Sequence, residues 1–145
     1  MERVLITGGL GFIGRYLADL FYQNNFKVRI IDLPSRPENL PNHFDYVRSG
    51  VEDHRTLFYA LGGEGLGEVD YILHLAGLSG YSDDYASFFR VNAGGTAVLY
   101  ETINRFKFSI KQVIIASSQQ VYGEGKYFCG FCCTSFTGGK IFYPG

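Results

Sequence analysis

Gly8-Gly9-Leu10-Gly11-Phe12-Ile13-Gly14 carries the densest chemical signal in the chain. Glycines at this spacing can do three jobs. Gly8 permits a tight turn with positive φ. Gly11 leaves the backbone bare, so that a diphosphate can touch it. Gly14 lets the following helix pack closely on the preceding strand. The free N–H groups and positive dipole end of that helix then attract phosphate. A bare glycine triplet also arises for purely steric reasons. Asp32 supplies the second signal, because it stands where the next strand ends. A carboxylate there accepts from ribose hydroxyls and repels a 2′-phosphate. The pair predicts a dinucleotide site that favours NAD over NADP, with Arg36 four residues on as a group able to soften that preference. Read alone, Asp32 is also an ordinary turn residue before Leu33-Pro34.

The elements needed to position these residues are present in order. Arg3-Val4-Leu5-Ile6 reads as a buried strand. Gly11 to Asn24 has helical period, with Ile13, Leu17, Leu20 and Phe21 expected on one face. Lys27 to Ile31 is a second strand ending at Asp32. Pro34, Pro37 and Pro41 predict a loop. Asp45 to Arg48 is a third strand, and Asp53 is a candidate cap for a helix bearing Leu57, Phe58 and Leu61. Tyr71-Ile72-Leu73 is a fourth strand and Gln112 to Ala116 a fifth. Between them a long helix is predicted over roughly Asp83 to Phe106, with Tyr85, Phe88, Phe89, Asn92, Thr96, Leu99 and Ile103 as its stripe. Strands alternating with helices predict an α/β fold: a Rossmann-type doubly wound parallel sheet of about five strands. Residues 1–123 form the expected dinucleotide-binding domain. Residues 124–145, rich in Gly, Cys and aromatics, are expected to be irregular.

Composition narrows the function. The 145 residues carry a formal net charge of −1, which gives no broad basic field for nucleic acid or anionic membrane. No apolar run is long enough to span a bilayer, and no signal layout precedes the first strand, so a cytoplasmic location is the expectation. The three cysteines, Cys129, Cys132 and Cys133, crowd one window, unlike a disulfide framework. Cys129-x-x-Cys132 is half a zinc site. Three reduced thiols with no metal are the expected state.

Four ordered segments carry a family resemblance: Thr7 to Gly14, His74-Leu75-Ala76-Gly77, Val91-Asn92-Ala93-Gly94-Gly95-Thr96, and Ala116-Ser117-Ser118-Gln119-Gln120-Val121-Tyr122-Gly123. Together they resemble the extended short-chain dehydrogenase/reductase family, and within it the NAD-dependent epimerase/dehydratases that act on nucleotide sugars. The resemblance implies an NAD cofactor. It implies contacts to it from Gly8, Gly11, Phe12, Ile13 and Gly14 at the turn, and from Asp32, Leu33 and Val51 at the second and third strand ends. Leu75, Ala76, Gly77 and Asn92 complete the set after the fourth strand. Ser118 aligns with the residue that hydrogen-bonds the reacting sugar hydroxyl or carbonyl. His74 is read as a packed histidine with no catalytic role. A nucleotide sugar is a further implied ligand, and association into homodimers through the long helix is expected.

The sequence also departs from the family pattern. Gly50 stands where many relatives have an adenine-binding Asp, which leaves backbone groups or Asp53 for that base. Gln119-Gln120 replaces the acidic pair of the dehydratases, so epimerisation or simple oxidation–reduction is expected rather than dehydration. The catalytic Tyr-x-x-x-Lys helix is expected to be missing: Tyr122-Gly123-Glu124-Gly125-Lys126 matches the letters, but Tyr122 belongs to the fifth-strand motif and two glycines make a helix there unfavourable. The substrate half is missing too, which predicts a truncated member that binds dinucleotide without turning over sugar by itself. A non-catalytic dinucleotide-binding module and a fragment without independent function are the alternatives. The segment from Gly123 through Cys132 resembles an insertion of some deoxysugar 4-epimerases.

Overall fold

β1 (Arg3–Thr7) and β2 (Lys27–Asp32) are buried over most of their length, since both faces of each strand are covered. The computed structural model describes residues 1–80, 83–118, 121, 126–128, 131 and 135–137. β1 and β2 form the middle of a five-stranded sheet with β3 (Asp45–Arg48), β4 (Tyr71–His74) and β5 (Gln112–Ile115). The order is β3-β2-β1-β4-β5, and every pairing is parallel. This is the expected doubly wound sheet. The strand order reverses between β1 and β4, and such a reversal opens a crevice beyond the carboxyl ends of the strands.

Two apolar layers hold the sheet. On one face Val4, Ile6, Val28, Ile30 and Leu73 pack with Ala18 of α1 (Phe12–Gln23) and Phe44 of the proline-rich loop. On the other, Leu5, Ile31 and Ile72 pack with Leu57 and Leu61 of α2 (His54–Leu61) and with Leu99. Asp53 caps α2 as expected, accepting from the Arg55 and Thr56 amides, and Gly62 closes it at φ +118°. Arg29 is an exception in a strand otherwise apolar inside. Its guanidinium is buried, and it donates to the carbonyls of Ala60 at 2.7 Å and Leu66 at 2.7 Å, with Asp45 at 3.3 Å. The buried charge is therefore hydrogen-bonded, as burial requires.

Two helical stripes differ from expectation. In α1 the buried positions are Gly14 and Ala18, whereas Ile13 and Leu20 are exposed. The small residues face the sheet because helix and strand lie too close for large ones. The long helix is not continuous. α3 (Tyr85–Phe88) passes through a π-helical stretch (Phe89–Gly94) into α4 (Gly95–Phe106). The wider π turn shifts the phase of the stripe. Gly95, Leu99 and Thr102 are buried, while Tyr85 and Phe89 lie open at 73% and 77% exposure. Beyond residue 123, where no strand was expected, β6 (Lys126–Phe128) and β7 (Ser135–Thr137) pair antiparallel. Cys129, Cys132 and Cys133 lie outside the described residues. Among the described residues no helix is long and apolar enough to cross a membrane.

Candidate functional site

The glycine turn takes the shape its sequence implies. Gly8 sits at φ +69°, and its N–H donates to the Ile31 carbonyl at 2.8 Å, tying the turn to the end of β2. A side chain at Gly8 would also collide with the chain after β4, since its Cβ would lie 2.8 Å from the Ala76 nitrogen. At Gly14 a Cβ would fall 2.6 Å from the Gly9 Cα, so the third glycine does allow α1 to touch the turn. Gly9 has a role the sequence did not reveal: a Cβ there would press into Ile30, 2.6 Å from its Cγ2. Gly11 differs from these. A Cβ there would meet just the Gly8 carbonyl, at 3.1 Å, so the protein leaves the space over Gly11 open. No side chain caps α1, whereas Asp53 caps α2 and Asp84 caps α3. The first-turn amides of α1, beginning with Phe12 and Ile13, therefore keep their donors for something else. A bare backbone, open space and uncapped donors fit a diphosphate.

One strand over, Asp32 is held rigidly. Its Oδ2 accepts from the Leu10 amide and its Oδ1 from the Leu33 amide, each at 2.8 Å. The carboxylate thus braces the glycine turn and keeps lone pairs for a ligand. Arg36 is turned away to structural work, donating to the carbonyls of Phe44, Leu40 and Pro41. The prediction that it softens the Asp32 preference finds no support in that geometry. Asp53 is likewise committed to capping α2, and it also accepts from the Thr56 hydroxyl at 2.9 Å. It does not line the crevice. Glu52 does, beside Asp32, Leu33 and Gly50. Val51 lines it as well, but its side chain is buried against Gly95, so its backbone is what faces a ligand.

The chain after β4 forms the opposite wall, and a buried polar relay fixes it. The Ala76 amide donates to Thr7 Oγ1 at 3.1 Å, and Thr7 Oγ1 lies 2.8 Å from His74 Nδ1. His74 Nε2 lies 3.0 Å from Thr96 Oγ1, whose hydroxyl donates to the Asn92 carbonyl at 2.9 Å. Thr96 has spent its proton and must accept from Nε2–H. Nδ1 is then bare and accepts the Thr7 hydroxyl proton. Burial pushes the His74 pKa down, in keeping with this neutral form. Asn92, in the π stretch, clamps the same loop. Its Oδ1 accepts from the Leu78 amide at 2.7 Å, and its Nδ2 donates to the Leu78 carbonyl at 3.0 Å. Gly77 lies under that clamp, since a Cβ there would come 3.3 Å from Asn92 Oδ1.

The predicted residues therefore gather along the reversal point of the sheet. Gly8, Asp32, Leu33, Val51, Ala76 and Gly77 line one cleft. Leu75, Asn92 and Ser118 line the next, which shares Ala76 and Gly77 with the first. Gly11, Phe12, Ile13 and Gly14 stand at the start of α1 beside them. Gln119, Gln120 and Tyr122 lie outside the described residues.

Comparison with known proteins agrees with this geometry. Residues 4–131 match the model of the NAD dependent epimerase/dehydratase family. A dTDP-D-glucose 4,6-dehydratase of Dictyostelium discoideum is 28% identical over 138 residues, covering 86% of this chain and 31% of its own length. A bifunctional UDP-glucose 4-epimerase and UDP-xylose 4-epimerase of Arabidopsis thaliana is 30% identical, covering 85% of this chain and 38% of its own. Among solved structures, a UDP-glucose 4-epimerase from Thermotoga maritima with UDP-glucose superposes with a TM-score of 0.75 at 28% identity, over 88% of this chain and 42% of that one. A short-chain dehydrogenase/reductase superfamily protein from Agrobacterium tumefaciens with bound NAD gives 0.70 at 28% identity, over 84% of this chain and 34% of that one. The chain thus spans 31% to 42% of the length of these relatives.

Proposed function

The chain belongs to the NAD dependent epimerase/dehydratase family, and from that premise we propose that it is the NAD-binding part of a nucleotide-sugar epimerase or oxidoreductase. The observation that carries the reading is the open, uncapped turn between β1 and α1, set one strand from the braced carboxylate of Asp32. Gly8, Gly11 and the amides of Phe12, Ile13 and Gly14 hold the diphosphate. Asp32, with the Leu33 backbone, holds the ribose of the adenosine half. Leu75, Ala76 and Gly77, stiffened by Asn92, form the wall along which the nicotinamide half runs. When bound, NAD supplies a hydride acceptor at that end of the crevice. Ser118, on the rim of the same cleft, offers a hydroxyl to a sugar oxygen. Turnover by these 145 residues alone is not expected, because the Tyr-x-x-x-Lys spacing of the sequence, Tyr122 to Lys126, puts Lys126 in a strand and not on a helix that could move the hydroxyl proton. The exposed Tyr85 and Phe89 support self-association through the long helix, which sedimentation velocity would detect.

Calorimetric titration with NAD and NADP tests the cofactor assignment. NAD should bind at least about tenfold more tightly, because the carboxylate of Asp32 accepts from a 2′-hydroxyl and repels a 2′-phosphate. Asp32→Asn should narrow the gap mainly by weakening NAD. Equal or tighter binding of NADP by the parent chain would overturn the role given to Asp32.

A further inference from the structure

A dinucleotide with its diphosphate at the glycine turn and one ribose at Asp32 must send the attached base farther along the same sheet edge, over the end of β3. There the cleft is walled by Leu33, Gly50, Val51, Glu52 and Val91. Leu33 and Val91 present apolar walls, and the Val51 side chain is turned into the core. Among the described residues that line this cleft, Glu52 and Asp32 are the charged ones. The Glu52 side chain is about one-third exposed, and among the described residues its partner is Arg90, whose Nε stands 4.0 Å from Oε1. That separation is too long for a hydrogen bond, so Arg90 steadies the charge without using up its lone pairs. Gly50 makes the arrangement possible. A Cβ at position 50 would lie 2.5 Å from Glu52 Oε2 and 2.9 Å from Cδ. The carboxylate therefore occupies the space a side chain at 50 would take.

We propose that Glu52, placed by the bare Gly50 backbone, selects the base of the dinucleotide by accepting a hydrogen bond from an exocyclic amino group. The inference rests on the NAD-binding reading and deepens it at the base end. An anionic acceptor attracts the amino group of adenine. It repels the carbonyl oxygen that hypoxanthine carries at the same ring position, since neither group can then donate.

The test compares NAD with nicotinamide hypoxanthine dinucleotide, in which the amino group becomes a carbonyl and the adjacent N1 becomes an N–H, by calorimetric titration of the whole chain. The parent should prefer NAD by about tenfold or more, the usual worth of a hydrogen bond to a charged partner. Glu52→Gln should bring the two within about threefold, because an amide can face either an amino group or a carbonyl. Gly50→Ala gives an independent reading. Its φ is not in the left-handed region, so the fold should stand, while the added methyl displaces the flexible carboxylate and the preference should fall likewise. A parent chain that binds both dinucleotides equally, or a preference unchanged in both variants, overturns the role of Glu52 and leaves NAD binding intact. A parent chain that binds neither overturns the cofactor reading and this inference with it.

Discussion

Replacing Thr7 with valine should cost this fold far more than its one lost oxygen suggests. Thr7 is wholly buried, and valine matches its shape, so packing is preserved. What changes is the hydrogen bonding. His74 Nδ1 loses the hydroxyl proton it accepts at 2.8 Å, and the Ala76 amide loses the acceptor it meets at 3.1 Å. The ring is buried, so no water replaces the first bond. An unsatisfied buried acceptor costs about 1–3 kcal/mol. The Ala76 amide lies at the crevice wall, where water reaches it, and adds about 1 kcal/mol or less. The sum is about 1–4 kcal/mol, read from equilibrium urea denaturation as a lower midpoint at unchanged slope. Thr96→Val supplies the internal comparison. Thr96 is half-buried on the crevice side, so solvent can take over its bond to Nε2 and the loss should be near 1 kcal/mol. A Thr7→Val chain within about 0.5 kcal/mol of the parent, or one less damaged than Thr96→Val, would refute the assigned proton directions and the relay with them.

The relay also sets a pH dependence. Burial lowers the His74 pKa in the folded state, so the unfolded chain binds the proton more readily between the two values. Its contribution to stability is complete above the unfolded value near pH 6.5 and declines as the pH falls below it. The slope is up to about 1.4 kcal/mol per pH unit. Denaturation midpoints measured from pH 7.5 to 5.5 should show this fall in the parent and a flatter line in His74→Gln. Parallel lines would exclude His74 as its source. Gly14→Ala should force α1 off the turn, given a Cβ 2.6 Å from the Gly9 Cα. It should destabilise the chain by about 1–3 kcal/mol and abolish NAD affinity at concentrations that saturate the parent. Unaltered NAD titration in that variant would show that the turn has slack the structure denies.

Much of this molecule is written in local sequence. The five strands, the caps at Asp53 and Gly62, the positive φ of Gly8 and the placement of Asp32 depend on residues near in the chain. Periodicity, capping chemistry and the absence of a Cβ state such things directly. Other features needed the tertiary structure because their partners are distant in sequence. His74 is locked by Thr7, 67 positions away. Buried Arg29 donates to carbonyls more than 30 residues downstream. The long helix carries a π stretch, Tyr85 and Phe89 lie exposed, and Asn92 bonds Leu78 while Gly95 lies against Val51, contacts made with residues 14 or more positions away. Asp53 and Glu52 are adjacent acids, yet α2 claims the first as its cap and turns the second to the crevice. Composition cannot separate two neighbouring carboxylates. The direction in which the chain leaves β3 does, because it decides which one meets free amides and which one meets open space.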